Sequence, residues 1–374
     1  MLATRPAGAD AIVQRNCQYG RRTTDRKEIV TVADYRRTFA LGGRSAHPIQ
    51  SAGLTLGMVL LSAVASIAAC DNGHGDTPTK SPQSLHPPAS LEAPTYPLAT
   101  NAPSVGAYTL NRPDRVDRLP YQLREVSGLT DVSDHELGCV QDEDGIIFVY
   151  DLRLRQISRQ LTFGPPGDYE GLTRVGKTFF VLRSDGRLYE VPANASRSRG
   201  RSRQLGIPNR DNEGLGFDSR RGRLLIAPKA RLKGKKHKDS RLVFAFELQG
   251  RKLLSEPAFE LSIDAIREFA EIHGLPVPEK TTKKGKKRSA LRFMPASIAV
   301  HPATQEIFVL SAEDHVLAAF DASGAVTGYA RLDPKLFAQP EGITFLSNGD
   351  MVISNEGAGK DATLLLFKWR RQKG

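Results

Sequence analysis

Three glutamates in this sequence stand in one local pattern, each followed by a glycine and an aliphatic residue. They are Glu170 in "DYEGL", Glu213 in "DNEGL" and Glu341 in "QPEGI". Carboxylates in such a set either bind a metal cation or pair with basic side chains. Which of these happens depends on whether the fold brings the three side chains to one place.

The pattern belongs to a longer internal repeat. If Ser127 in "VSGLT" and Ser297 in "PASIAV" are taken as equivalent anchors, most neighbouring anchors lie 43 or 44 residues apart. The interval between Glu213 and Ser297 is about twice as long. It contains a basic run from Lys229 to Arg241 and a helical spacing of apolar residues in Asp264–Gly274, so we interpret it as one enlarged unit.

Each unit consists of short apolar strands separated by turn signals, such as "TFFVLR", "SDG" and "RLYEV" in the second unit. Units of about 40 to 45 residues with four strands each are typical of β-propeller blades. The sequence therefore predicts an all-β fold, a five-bladed β-propeller, with six blades possible if the long interval hides a degenerate repeat. We expect "AYTLNR" or "YQLREV", between Ala107 and Val126, to complete the last blade beside "TLLLFKW".

In a propeller the first strand of each blade lines the central channel, which would place the anchors at the channel mouth. Three carboxylates there repel one another unless a positive charge lies between them. Calcium fits an all-oxygen ligand set better than magnesium, whose octahedron is stricter, or zinc, which favours histidine and cysteine. The alternative is that the glutamates cap strands and pair with Arg183 and Lys229.

Several further oxygen donors near the anchors are weaker candidates for the metal. They are Ser127, Ser297, Asn355, Asp168 and Asp211.

The N-terminal region is typical of an exported lipoprotein. The uncharged run Leu54–Cys70 is too short to span a membrane and ends in Ile67-Ala68-Ala69-Cys70, which resembles a lipobox. We expect lipidation of Cys70; the alternative is an ordinary signal peptide cleaved nearby. Residues 1–70 form the signal region, over-extended at its start, residues 71–106 a Pro/Ser/Thr-rich linker, and residues 107–374 the propeller domain.

The expected location is the bacterial cell envelope. Asp71 after the lipidated cysteine favours the periplasmic face of the inner membrane. Only Cys139 would remain as a thiol in the mature domain, so no intramolecular disulfide is expected.

The chain carries a formal net charge of +12, much of it in basic runs such as "KARLKGKKHKDSR" and "KTTKKGKKR". Solvated loops are the favoured interpretation, and an anionic membrane surface is the next candidate. Nucleic-acid binding is not expected because the runs contain no aromatic residues for base stacking. We expect a monomer with a lipid anchor, and an envelope protein or an anionic surface as partner.

The stretch from about Val126 to Phe367 resembles the SdiA-regulated family of bacterial envelope proteins, through "SGLT", "DYEGL", "DNEGLGFD", "PASIAVHP" and "PEGITFLSNGDMVISNEG". The resemblance implies a membrane-anchoring N-terminus and a five-bladed propeller, distantly similar to NHL-repeat proteins, with a calcium site. That site carries over best to Glu170, Glu213 and Glu341. The lysine-rich insertions and the lipobox depart from the family pattern.

Common catalytic motifs are missing from the sequence, including Gly-x-Ser-x-Gly, HExxH and Cys-x-x-Cys. We therefore favour a binding or structural role over catalysis. The alternative is a calcium-dependent hydrolase, phytase-like or esterase-like, that cleaves a phosphoester or lactone in the channel. In that case Arg183 and Lys229 would neutralise a phosphate.

Overall fold

The computed structural model describes residues 104–194, 200–209, 211–232 and 237–370. The signal region, Cys70 and most of the predicted linker lie outside the described residues. The first described element is a hairpin of β1 (Ser104–Val105) and β2 (Tyr108–Thr109), which straddles the predicted boundary at residue 106. No helix in the described ranges has both the length and the apolar composition needed to cross a bilayer.

Five antiparallel sheets make up the domain, and in each the strands follow one another from the inside outwards. Blade 1 contains β4 (Val126–Ser133), β5 (Glu136–Gln141), β6 (Ile146–Asp151) and β7 (Gln156–Thr162). Blade 2 contains β8 (Tyr169–Val175), β9 (Thr178–Arg183), β10 (Arg187–Pro192) and β11 (Arg201–Gln204). Blade 3 contains β12 (Asn212–Asp218), β13 (Arg223–Pro228), β14 (Ser240–Glu247), β15 (Lys252–Leu253) and β16 (Phe259–Ser262).

Blade 4 follows a helix, α1 (Ile263–Ile272), and a hairpin of β17 (Glu279–Thr281) and β18 (Lys287–Ser289). Its strands are β19 (Ser297–Val300), β20 (Ile307–Ser311), β21 (Val316–Phe320) and β22 (Val326–Arg331). Blade 5 contains β23 (Pro340–Phe345), β24 (Met351–Asn355), β25 (Thr363–Phe367) and β3 (Arg115–Arg118) from the beginning of the domain.

The first strands β4, β8, β12, β19 and β23 contact one another in a closed ring, which confirms the five-bladed propeller. The long interval in the repeat is one enlarged blade followed by an insertion, so there is no sixth blade among the described residues. Five hydrophobic clusters lie between neighbouring blades. Because each blade is covered on both faces, second strands such as β9 and β13 are apolar along nearly their whole length.

The N-terminal strand does close the last blade, but it is β3, with the sequence "RVDR", and neither of the two predicted segments. An outermost strand contributes little to the core, so its sequence need not be apolar. Its buried Asp117 is satisfied by ion pairs with Arg115 at 2.5 Å and Arg155 at 3.5 Å. An alternation of apolar residues therefore does not identify this closing strand.

Helix α1 forms where the sequence predicts it. The Ser262 hydroxyl caps its N-terminus by accepting from the Ala265 amide at 3.2 Å. Ile266 is buried against blades 3 and 4, whereas Ile272, expected on the same face, is 72% exposed because it lies in the last turn of the helix.

The glycines after the anchors set the distance between blades. A Cβ built on Gly171 would lie 2.5 Å from the Leu215 Cβ and 2.7 Å from the Glu213 carbonyl oxygen in the next blade. A Cβ on Gly128 would similarly meet the Glu170 carbonyl at 2.9 Å. The inner strands therefore approach one another as closely as backbones without side chains allow.

We expect Gly171→Ala to destabilise the domain by about 1 to 3 kcal/mol, the usual range for overpacking a site whose neighbours are backbone and Cβ atoms. The matched control is Gly176→Asn in the turn between β8 and β9, where nothing lies within 4 Å and φ is +58°. Asparagine tolerates that conformation, so little loss is expected. Urea denaturation measures both; equal effects would contradict the close-approach argument.

Candidate functional site

Each predicted glutamate lies at a β-bulge where the innermost strand begins. The register between β8 and β9 shifts between Tyr169 and Gly171, so Glu170 has no partner residue opposite it. Equivalent register shifts leave Glu213 on β12 and Glu341 on β23 without a partner residue on the neighbouring strand. A bulge redirects the side chain of the extra residue, and bulges are common beside functional sites.

The anchors of blades 1 and 4 are serines, and both link neighbouring blades. Ser127 is also skipped by a bulge, and its hydroxyl donates to the Tyr169 carbonyl at 2.8 Å. Ser297 sits in regular register, and its hydroxyl accepts from the Ile343 amide at 3.3 Å. Two of the weaker candidate donors thus make hydrogen bonds to the adjacent blade.

The three carboxylates are close enough to influence one another electrostatically. Burial raises the pKa of Glu170 to about 9, and the charges of Glu213, Asp168 and Glu341 add to the rise. Burial also raises the pKa of Glu341 to about 7 against the opposing charge of Lys229. The structure therefore brings Glu170, Glu213 and Glu341 to one weakly solvated mouth, where full ionisation of all three is unfavourable.

Lys229 supplies the positive charge at this mouth. Its Nζ lies 2.7 Å from Glu213 Oε1, and its backbone amide donates to the Asp211 carbonyl at 2.9 Å. Burial alone would lower the pKa of Lys229, but its hydrogen bond to Glu213 and the charges of Glu213, Glu341 and Asp211 together raise it. The same burial raises the pKa of Glu213, with Lys229 opposing the rise.

Of the two basic residues that the sequence offered as partners of the glutamates, Lys229 does pair with one of them, Glu213. Arg183, the other, binds Asp185 at 2.5 Å, two residues along its own turn.

Further acids surround the mouth that sequence reasoning did not find. Asp142 and Glu356 follow the ends of the second strands β5 and β24, the same position that Lys229 takes after β13. Burial raises the pKa of Asp142, with Glu125 as the next cause, and burial raises the pKa of Glu356, with Asp142 and Glu125 next. Aligning the second-strand ends, as the anchors were aligned, would have identified both residues.

Among the described residues, three buried oxygen acceptors at the starts or ends of inner and second strands have no hydrogen-bond partner: Asp142 Oδ1, Asn212 Oδ1 and Asn355 Oδ1. Asn212 and Asn355 each use their amide nitrogen on backbone carbonyls, which leaves the oxygen free to accept. Unsatisfied buried acceptors next to carboxylates suit a cation or an ordered water.

The donors are those that calcium prefers, all of them oxygens. Their present arrangement is nevertheless not that of a metal site, since within the described ranges no three His, Cys, Asp or Glu side chains are gathered as a metal would need. Lys229 lies against Glu213. The residues therefore fit a calcium ion in kind, and binding would require Lys229 to release Glu213.

The opposite half of the ring has a different character. A cavity of about 180 Å³ is lined by the residues after the anchors, including Leu129, Leu172, Leu215 and Ile343, and by the buried Thr130 and Thr344 further along the strands. None of the three glutamates lines it. The carboxylate that does line it, Asp131, is paired with Arg174 at 3.4 Å.

No family model matches the chain, and no curated protein matches its sequence. Solved structures with a similar fold include a chain of the mitotic checkpoint complex, at 10% identity and a TM-score of 0.37, covering 65% of this chain. This chain spans 63% of the length of that match.

Two other solved structures are matched over nearly their whole length. The glutaminyl cyclase of Myxococcus xanthus has 13% identity and a TM-score of 0.42, with 69% of this chain and 95% of that one covered. The WD40 β-propeller domain of Doa1 has 12% identity and a TM-score of 0.36, with 68% and 98% covered. Likenesses at this level carry no inference about activity.

The raised pKa values predict how stability depends on pH in the metal-free protein. Glu170 and Glu341 hold protons more tightly when folded than at their ordinary value of 4.5. Their contribution is complete below that value and is lost as the pH rises through about 7 for Glu341 and about 9 for Glu170. We expect the free energy of unfolding in chelator to fall over this range.

Glu170→Gln should flatten the upper part of this decline, because glutamine does not titrate. Glu247→Gln changes a half-buried glutamate at the end of β14, 3.9 Å from the Lys252 ammonium group. It is the control and should leave the decline unchanged. Denaturant unfolding across the pH range measures this. A variant curve parallel to that of wild type would show that Glu170 titrates normally.

Proposed function

We propose that this chain is a binding or structural propeller of the bacterial envelope and that its acidic channel mouth binds one calcium ion. The observation that supports the proposal is the convergence of three bulged glutamates from three blades, with one lysine as their counter-ion. The resemblance to the SdiA-regulated family supports the same assignment. The propeller fold itself is consistent with a binding or structural role.

A calcium ion at the mouth would have to displace the protons that the raised pKa values of its carboxylates indicate. Carboxylates whose pKa values lie at about 7 and about 9 are partly or largely protonated near neutral pH. A divalent ion stabilises the ionised forms, so its binding releases protons and strengthens as the pH rises. When bound, calcium would supply charge neutralisation and a link between blades 2, 3 and 5.

The chain's own residues would hold such an ion through Glu170, Glu213 and Glu341. The buried amide oxygens of Asn212 and Asn355, which have no hydrogen-bond partner among the described residues, adjoin Glu213 and Glu356 in the sequence. Lys229 competes with the ion for Glu213. This competition favours a divalent over a monovalent cation, because a monovalent ion gains little over the ammonium group already present.

The hydrolase alternative is weaker on the geometry. A phosphate substrate in the channel would need cationic groups facing it, but Lys229 binds Glu213 and Arg183 binds Asp185. The carboxylates at the mouth would repel an anionic substrate, and Arg124 beside them is paired with Glu125 at 3.1 Å. We therefore keep the binding or structural role as the proposed function.

The proposed location in the bacterial cell envelope is based on the sequence. Lipidation of Cys70 would anchor the chain to the periplasmic face of the inner membrane, and the Pro/Ser/Thr-rich segment after it would hold the propeller off the bilayer. A monomeric propeller anchored in this way would present its channel mouth and its lysine-rich insertions to an envelope protein or an anionic surface.

Calcium should raise the melting temperature of the full chain after stripping with chelator. At a calcium concentration about 100 times the dissociation constant, linkage corresponds to about 2.7 kcal/mol. Glu213→Gln should abolish the rise, whereas Glu247→Gln should keep it. Thermal unfolding with calcium or magnesium at equal ionic strength measures this; no rise in wild type would overturn the metal assignment.

Lys229→Met should tighten calcium binding, because the competing ammonium group is removed. In chelator the same variant should be less stable than wild type, since Glu213 loses its partner in a buried site. Isothermal titration calorimetry and thermal unfolding together test this. Unchanged affinity in a folded variant would show that Lys229 and the ion do not share a site.

Hydrolysis of a phosphoester or lactone by wild type, lost in Glu170→Gln, would instead favour the enzyme alternative.

A further inference from the structure

A second charged site lies on the side of the propeller between blades 3 and 4. It is a pocket of about 390 Å³ whose wall carries five cationic side chains: Arg231, Lys238, Arg241, Arg267 and Arg292. They come from the connection between β13 and β14, from β14, from α1 and from the segment before β19. None of the three glutamates of the channel mouth lines it.

Arg241 is the buried member of this set, with 6% of its surface exposed. Its Nη1 donates to the Ser240 carbonyl at 2.8 Å and its Nη2 donates to the Arg292 carbonyl. Its Nε is buried with no hydrogen-bond partner, and among the described residues Arg241 makes no ion pair. Burial lowers the pKa of Arg241, and the neighbouring charges of Arg231 and Arg292 act in the same direction.

A guanidinium held only by carbonyl groups is an incompletely compensated buried charge, which is costly unless an anion completes it. Arg267 shows the same feature: its Nε is also buried without a partner in the described part of the chain, while its Nη1 binds Asp264 at 2.7 Å. The Nε groups of Arg241 on β14 and Arg267 on α1 are therefore both available to donate a hydrogen bond at this pocket.

The acids near the pocket are largely committed elsewhere. Arg292 binds Glu313 at 2.6 Å. Asp314 raises the pKa of Arg241, but its oxygens accept from the Arg292 amide at 3.1 Å and from the Ser311 hydroxyl at 2.8 Å. Asp239 also lines the pocket, so its wall carries one carboxylate beside the five cationic side chains.

We propose that this pocket binds the phosphate group of a phosphorylated ligand. A tetrahedral phosphate offers acceptors in several directions, which suits donors arriving from β14 and α1, and arginine is well matched to phosphate geometry. The apolar side chains of Ile263, Leu291 and Met294 line the same pocket and would cover a non-polar group attached to the phosphate. The proposal does not rest on the calcium site.

The test uses the full chain in chelator, which keeps calcium out of the measurement. Sodium phosphate, acetate and chloride are compared at equal ionic strength by thermal unfolding and by calorimetry. Phosphate should raise the melting temperature of wild type above that in the other two salts. Arg241→Met should lose the rise, and Arg241→Lys should bind phosphate at least about tenfold more weakly, since lysine lacks the planar fork.

Two further variants keep the test decisive if a change at the buried Arg241 impairs folding. Arg267→Gln, at a position on the surface of α1, should also weaken phosphate binding. Arg220→Gln removes the same charge from an exposed position in the turn between β12 and β13 and should bind phosphate as wild type does. Equal shifts in phosphate and acetate, no shift in wild type, or full binding by Arg241→Met would each overturn the proposal.

The source of the phosphate is separated by two probes. If the ligand is soluble, glycerol phosphate should bind to wild type more tightly than to Arg241→Met, while phosphatidylglycerol vesicles retain both proteins equally. If the source is a lipid head group, vesicles of phosphatidylglycerol should retain wild type more strongly than Arg241→Met, and vesicles of phosphatidylcholine should show a smaller difference. Both results support a phosphate site, whereas no difference with either probe contradicts it.

Discussion

The close approach of the innermost strands is the constraint on which the rest of the molecule depends. Five strands can form a closed ring only if their backbones nearly touch, and Gly128, Gly171, Gly214 and Gly342 remove the side chains that would prevent this. At the preceding residue the strand bulges away from its partner. The glycines of the repeat therefore allow the ring to close, and the bulges place one polar side chain of each bulged strand at the channel mouth.

Bringing carboxylates to this position has an electrostatic cost, and the chain offsets it in two ways. Lys229 neutralises Glu213 directly, at 2.7 Å. Glu170 and Glu341 instead retain protons at pH values where exposed glutamates are ionised. A site balanced by one lysine and by protons responds to any cation that binds more strongly than they do. The mouth is therefore the candidate site, and not the cavity at the other end of the ring, where Asp131 is paired with Arg174.

The sequence repeat predicted the blades, the closure by an N-terminal strand and the residues at the channel mouth, because each leaves a periodic signal. It did not predict that "RVDR" is the closing strand, since an edge strand needs little apolar character. It also missed Asp142 and Glu356, because the equivalent positions after the second strands differ in residue type and include Lys229. The pocket around Arg241 was beyond sequence reasoning, because its cations come from segments up to about 60 residues apart that only the insertion brings together.

The most direct test of the central claim is an NMR titration of the full chain with 13C-labelled glutamate carboxyls, assigned by Glu→Gln variants, first in chelator and then with calcium. The account predicts that the Glu170 carboxyl titrates near pH 9 and the Glu341 carboxyl near pH 7, and that calcium lowers both values together. Titration of all three carboxyls near the ordinary value of 4.5, with no response to calcium, would show that they do not share one buried mouth and would contradict the account.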